Sequence, residues 1–367
     1  MANKKKHLLA GVIFAGLVLS FGSLLFIPSV FAYTRTRNDS QGNPVYECGS
    51  CSDCTDALNA TTLTSTVNLT ANINNQSGSC ISNPAGFNNK TFDCQGHTID
   101  GNDSGSGYGI YLSGKNNNII KNCIVTDFGY GIYLDSSSNS TLTNNTANSN
   151  NYYGIYLRSS SYSTLTNNTA NSNNYDGIWL DSSSNSTLTN NTANSNNHDG
   201  IFLGSSSNST LTNNTANSNN YSGIYLDSSS NNTLTNNTTN NNGPYGGISL
   251  YDSSNNTLKE NKACNNSIDD ISNYGNESGN AGSNNACNTT HGWKDSGKTG
   301  CTYSCSNIPS VPFVPSVPSS SIQYNPGQSQ STISPQTIQS IVSLLQQNLD
   351  KLRQLILSLF RILIKAR

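Results

Sequence analysis

The sequence predicts an all-β parallel solenoid, and three observations carry that expectation. A Gly-Ile pair falls at Gly109, Gly131, Gly154, Gly177, Gly200, Gly223 and Gly247, spacings of 22, 23, 23, 23, 23 and 24 residues. A fixed period of this length marks stacked repeats. Within each period "GIYL" and "TLT" alternate apolar and outward residues, the periodicity of strands, and Asn/Ser runs bound both. No part of the repeat has helical spacing, so a leucine-rich repeat of similar period fits less well.

Charged residues make up 10% of the 367-residue chain and the formal net charge is −2, which excludes the basic face that nucleic acid requires. A hydrophobic content of 33% would by itself read as disorder. Repetition reverses that reading, because regular spacing lets few apolar residues stack into one core.

Taken in order, residues 1–32 read as an export signal. Lys4, Lys5 and Lys6 precede an apolar run from Leu8 to Phe26, and Val30-Phe31-Ala32 suits cleavage before Tyr33. The run is also long enough to serve as an uncleaved anchor. Either way the expected location is secreted or cell-surface. Ten cysteines agree, since an even count in an exported protein predicts disulfides. Cys48, Cys51, Cys54, Cys80, Cys94 and Cys123 cluster near the start, and Cys264, Cys287, Cys301 and Cys305 near the end. Their pairing is left open, and residues 33–84 and 273–305 are read as cysteine-rich caps. A metal site at Cys48, Cys51 and Cys54 is the rival reading, but it lacks a fourth ligand. No metal and no cofactor is expected.

Residues 85–272 hold the coils. Four inward columns follow from the alternation. They begin at Ile110, Leu112, Ile120 and Val125 and continue through Ile248, Leu250, Leu258 and Ala263. Seven or eight coils would stack about 4.8 Å apart into a core on the order of 35–40 Å long. Asn144, Asn167, Asn190, Asn213 and Asn236 form a column suited to tight turns, where Asn tolerates left-handed geometry. They also spell glycosylation sequons, but sugars one coil apart would crowd, which leaves isolated sites such as Asn59 and Asn276 for glycans.

The segments "FDCQGHTIDG" (Phe92–Gly101), "NNIIKNCIVTDFGYGIYL" (Asn117–Leu134) and the serial "SSSNSTLTNNTANSNNY.GI.L" resemble NosD-type right-handed parallel β-helix repeats. That resemblance covers about residues 85–272. It implies a right-handed solenoid of the pectin-lyase-like group, which includes carbohydrate-binding and sugar-hydrolysing modules. The copper-related role of the family name does not carry over, because the mature chain has no Met and only His97, His198 and His291. The segment Cys264–Cys305 resembles the cysteine-rich caps of exported prokaryotic β-helix proteins, and a cap would cover an open sheet edge.

Near-perfect repetition makes the variable columns informative. Between the inward Ile and Leu, the outward position reads Tyr111, Tyr133, Tyr156, Trp179, Phe202 and Tyr225, an aromatic stripe six coils long on a solvent face. Asp135, Arg158, Asp181 and Asp227 flank it. Aromatic rings stack on sugar C–H groups and charged groups bond hydroxyls, so these residues are the candidate carbohydrate-binding set and a polysaccharide the expected partner. The bland alternative is cross-strand stacking and a surface charge ladder. Asp176, Asp199 and His198 sit together around Trp179 and form the candidate catalytic group of a polysaccharide hydrolase or lyase, since neighbouring carboxylates can divide acid and base roles. Against catalysis stands the ordinary turn chemistry of Asp before Gly. A third reading, ice binding, rests on the outward Thr141/Thr143 pair, which recurs to Thr233/Thr235 and resembles the Thr-x-Thr face of β-helical antifreeze proteins. The expectation adopted is a binding or adhesion protein without catalysis.

The tail changes character. "IPSVPFVPSVP" (Ile308–Pro318) within a Pro/Ser-rich linker at 306–336 is an extended spacer. Residues 337–367 turn helical, with Ile338, Leu345, Leu352 and Leu359 at heptad spacing and two further apolar files beside them. This broad stripe suits a homo-oligomeric helix bundle or a membrane surface.

Overall fold

The computed structural model describes residues 33–39, 41–60, 65–275 and 278–307. The expected export signal, the spacer from 308 onward and the terminal helix lie outside these residues. Each coil lays down short strands and turns between them at residues with left-handed backbone. In one coil the strands are Tyr130–Asp135, Thr141–Thr143 and Thr146–Asn148. The corners are Ser136, Asn139, Asn144 and Ser149, with φ of 52°, 56°, 54° and 56°. The same corners recur at Ser182, Asn185, Asn190 and Ser195. The predicted turn column from Asn144 to Asn236 is left-handed at every step, as a short side chain that bonds nearby backbone allows.

Strands of successive coils pair in parallel and in register, giving three faces of a right-handed solenoid. The Gly-Ile face is a 10-stranded sheet running from Ile81–Ser82 to Thr290–His291. The Thr-Leu-Thr face is a 12-stranded sheet that begins with an antiparallel hairpin, Thr34–Asn38 with Pro44–Cys48. The third face thins to single bridges at Thr146, Thr169, Thr192, Thr215 and Thr238. The solenoid is longer than seven or eight coils because its outer coils lack the Gly-Ile pair but keep the inward Ile. Ile81 pairs with Ile110, and Ile271 with Ile248.

All four predicted columns are fully buried, from Ile110, Leu112, Ile120 and Val125 through Ile248, Leu250, Leu258 and Ala263. Each large aliphatic side chain so removed from water contributes about 1.5–3 kcal/mol. The coils are thin, however, and their backbone would be left short of partners at the corners without a second device.

That device is a pair of buried asparagine ladders. Asn145, Asn168, Asn191, Asn214, Asn237, Asn261 and Asn285 stack one per coil. Asn168 shows the unit: its backbone N–H and its Nδ2 both donate to Oδ1 of Asn191, at 2.9 and 3.0 Å, and Nδ2 also donates to the Leu142 carbonyl at 2.8 Å. A second ladder runs from Asn150 through Asn173, Asn196, Asn219, Asn242 and Asn266. A buried serine file does the same with hydroxyls, the Ser160 N–H donating to Ser183 Oγ and so on to Ser253.

Both amide ladders point one way, so the last amide needs an acceptor that donates nothing. Asp295 ends the first, taking the Asn285 N–H and Nδ2 at 2.9 and 2.7 Å along with Trp293 Nε1 and two donors of Thr302. Asp270 ends the second, taking both donors of Asn266 on one oxygen and the backbone of Asn288 and Thr289 on the other. The solenoid ends are covered. At the N-terminal end a helix, Cys51–Ala60, buries Cys54, Ala57 and Leu58 on one face, and the Ser50 hydroxyl caps it. At the other end Trp293 packs over Gly282. All ten cysteines are paired: Cys48–Cys54, Cys51–Cys80, Cys94–Cys123, Cys264–Cys305 and Cys287–Cys301. The N-terminal triplet is thus disulfide-bonded rather than free to hold a metal.

Two substitutions test this account. Asp295→Asn keeps the shape but sets an amide donor against the donors of Asn285, and should lower unfolding stability by about 2–4 kcal/mol. Tyr162 occupies a corner that is Asn in most neighbouring coils, at φ 59° and 60% exposed. Tyr162→Asn should raise stability by about 1 kcal/mol, read from denaturant unfolding, since Asn accepts left-handed backbone more readily.

Candidate functional site

The Gly-Ile face carries three files of rings, the first set by strand register and the others mostly by the stacked turns that lead into the strands. The predicted stripe forms the innermost. Tyr111, Tyr133, Tyr156, Trp179, Phe202 and Tyr225 stand directly across from one another in neighbouring strands. From Tyr133 to Tyr225 the ring centroids are 4.5–5.5 Å apart with planes within 8–15°. These are offset stacks. The rings overlap like shingles, so the interior ones have a neighbour against each face and meet water mainly at their edges.

The stripe is less exposed than expected. Tyr133 is 9% exposed and Tyr156 8%. The reason is a second file, Tyr108, Tyr130 and Tyr153, which lies against the first at 4.8–5.5 Å. At the next coils this second file changes to Asp176, Asp199 and Ser222, whose short side chains leave Trp179, Phe202 and Tyr225 half-buried and bordered by polar groups. The indole N–H of Trp179 has no protein acceptor. A third file, Tyr152, Tyr175, His198, Tyr221 and Tyr245, edges the ridge and is the most exposed, Tyr175 at 46% and Tyr245 at 56%. Tyr245 escapes a strict 23-residue count because its coil carries one extra residue beside Pro244.

The flanking charges lie where register puts them: Asp135, Arg158, Asp181, Gly204 and Asp227 run in one file. No ladder of ion pairs joins them among the described residues. The Tyr133 hydroxyl beside the Arg158 guanidinium raises its pKa, while Tyr156 donates to Asp181 at 3.3 Å. Gly204 leaves open the space beside the Trp179 and Phe202 rings.

Asp176, His198 and Asp199 do come together. His198 Nδ1 lies 2.8 Å from Asp176 Oδ1 and 3.1 Å from Asp199 Oδ2. Both carboxylates are almost wholly buried, at 3% and 2% exposure, and each also accepts a backbone N–H of the next coil: Asp176 from Asp199 and Asp199 from Ser222. The two carboxylates hold the imidazole charged, its pKa pushed up to about 10, first by Asp176 and then by Asp199. Burial raises the Asp176 pKa despite the histidine, because one imidazolium cannot compensate two buried charges. These three groups could coordinate a cation, but their hydrogen bonds already use one another and the backbone.

On the Thr-Leu-Thr face the two outward columns, Thr141 to Thr233 and Thr143 to Thr235, are in register across five coils.

Two overlapping stretches, 72–222 and 150–290, match the family model described as "Right handed beta helix region", more than half of the chain. No curated protein matches in sequence. Among solved structures, an alginate lyase from a Paenibacillus species is similar at 15% identity over 68% of this chain and 96% of its own, with a TM-score of 0.51. The Dettilon tailspike protein is similar at 16% identity over 65% of this chain and 57% of its own, with a TM-score of 0.50. The A-module of a mannuronan C-5 epimerase from Azotobacter vinelandii is similar at 17% identity over 65% and 80%, with a TM-score of 0.49. At such identities the likeness is one of fold.

The histidine gives a pH signature. A free imidazole titrates near 6.5 and this one near 10. Its pairing therefore stabilises the fold fully below about pH 6.5 and loses that contribution as pH rises through about 10. Thermal melting of the native chain and of His198→Gln should differ most at about pH 6, less at neutrality, and the gap should close by about pH 10–11.

Proposed function

Since the chain belongs to the right-handed β-helix family, and its coils present one continuous aromatic ridge, we propose that it binds or adheres to an extracellular or cell-wall polysaccharide without cutting it. The observation that carries this reading is the ridge itself. Three files of rings run along one face, and their outer members stand in water on a surface otherwise made mainly of Ser, Asn and Thr with a few flanking charges. A glycan lying along the solenoid axis meets ring edges in each coil from Tyr111 to Tyr225, and phenol hydroxyls in each of these except the Phe202 coil. Many weak contacts in series suit a long polymer better than a small ligand. Five disulfides fit a secreted or cell-surface setting, where such polymers occur.

The burial of both Asp176 and Asp199 beneath His198 speaks for binding without cleavage. A general acid must reach the bond it protonates, and these oxygens face the imidazole and the backbone instead. The alginate lyase and the tailspike share the scaffold, which is support for the fold and not for their chemistry. Ice binding is a second reading, supported by the in-register Thr columns, and it would appear as altered ice-crystal growth insensitive to the aromatic ridge.

Native electrophoresis through gels containing a panel of polysaccharides provides the test. One or more of them should retard the protein. Trp179→Ala should weaken that retardation about tenfold, worth roughly 1.4 kcal/mol. Tyr175→Ala and Tyr245→Ala remove exposed rings with little loss of packing and should weaken it too, whereas Tyr162→Ala, at a corner outside the ridge, should not. Equal mobility of all variants in every gel would leave the ridge as packing alone.

A further inference from the structure

The ridge is edged by carboxylates, and their arrangement bears on which polymer it can accept. Asp135, Asp181 and Asp227 occupy one file at every second coil, so they repeat at roughly 9.6 Å along the axis. Each takes one hydroxyl from its own following serine, Ser136, Ser182 or Ser228, at 3.3, 3.1 and 2.9 Å. Asp181 also takes the Tyr156 hydroxyl. A carboxylate accepts more hydrogen bonds than these, and all three are part-exposed, so acceptor capacity remains toward solvent. Arg158 is the one cation in that file, exposed and close to the Tyr133 hydroxyl. On the other flank Asp176 and Asp199 outnumber His198. Five carboxylates thus border the ridge against two cations.

On the glycan-binding reading above, we infer that the ridge takes a linear, uncharged polysaccharide and excludes polyuronates. Hydroxyl pairs of a neutral chain donate to Asp135, Asp181 and Asp227 in turn, and hydrogen bonds to an ionised acceptor are the stronger kind. A chain with a carboxylate on each sugar could not avoid these groups. The Debye length is about 10 Å at 0.1 M salt, so a chain on the ridge is always within reach of at least one aspartate. Selection then comes from repulsion of the wrong polymer as much as from attraction of the right one.

Affinity electrophoresis of the native chain and of the Asp135→Asn, Asp181→Asn, Asp227→Asn triple variant, through gels of a soluble β-glucan and of alginate at low and moderate salt, separates the outcomes. The native protein should be retarded by the glucan with little dependence on salt and should pass alginate freely. The triple variant, checked for unchanged melting temperature, should gain affinity for alginate by about tenfold at low salt. Retardation of the native protein by alginate, or a triple variant as indifferent to alginate as the native chain, overturns the inference while leaving glycan binding intact. Free passage of the native chain through both gels, with no other polysaccharide retarding it, overturns the glycan reading itself.

Discussion

A backbone that turns four times in 23 residues leaves many amide groups inside a thin rod, and an unpaired buried amide costs about 1–3 kcal/mol. The asparagine ladders meet that demand. Each Asn takes the N–H of the preceding coil on its Oδ1 and donates its own N–H and Nδ2 to the next, so the bonds run in series and polarise one another. The hydrophobic columns pull the coils together, but they are indifferent to small slips. The ladders are not, because a displacement of one residue would put an exposed corner Asn where a buried one belongs. In-register stacking of every side chain on the outer faces, the ridge included, follows from this.

The core was legible in the sequence because inward Ile, Leu and Ala repeat with the coil and nothing else in the period is apolar at those offsets. The corner column at Asn144 was legible because Asn is a good left-handed residue. Its neighbour Asn145 was not. The doublet Asn144-Asn145 reads as one polar turn, yet the first member is exposed at φ 54° and the second is 1% exposed in the ladder. Composition cannot separate two asparagines with opposite duties. Nor could it find the Cys51–Ala60 helix, a single short segment whose apolar positions 54, 57 and 58 have no repeat to amplify them.

The ring positions were legible, but their exposure was not. Tyr133 and Tyr156 are covered by residues three positions earlier in their own and adjacent coils, and only side-chain packing decides which file lies above the other. The candidate trio Asp176, His198 and Asp199 was gathered by register alone. What register could not reveal is that the imidazole would fold down on both carboxylates and take them out of solvent.

The two terminating aspartates, Asp270 and Asp295, lie beyond the near-identical coils whose ladders they end. Any coil between Gly154 and Gly223 can therefore be copied or lost without disturbing either end. Gaining or losing one of these near-identical coils requires no compensating change in its neighbours, which present the same ladders and columns. Such a gain or loss changes the reach of the rod in whole steps of about 4.8 Å. It also adds or removes one rung of rings at a time, so length and avidity are inherited together, and a lineage can tune both without reinventing a cap.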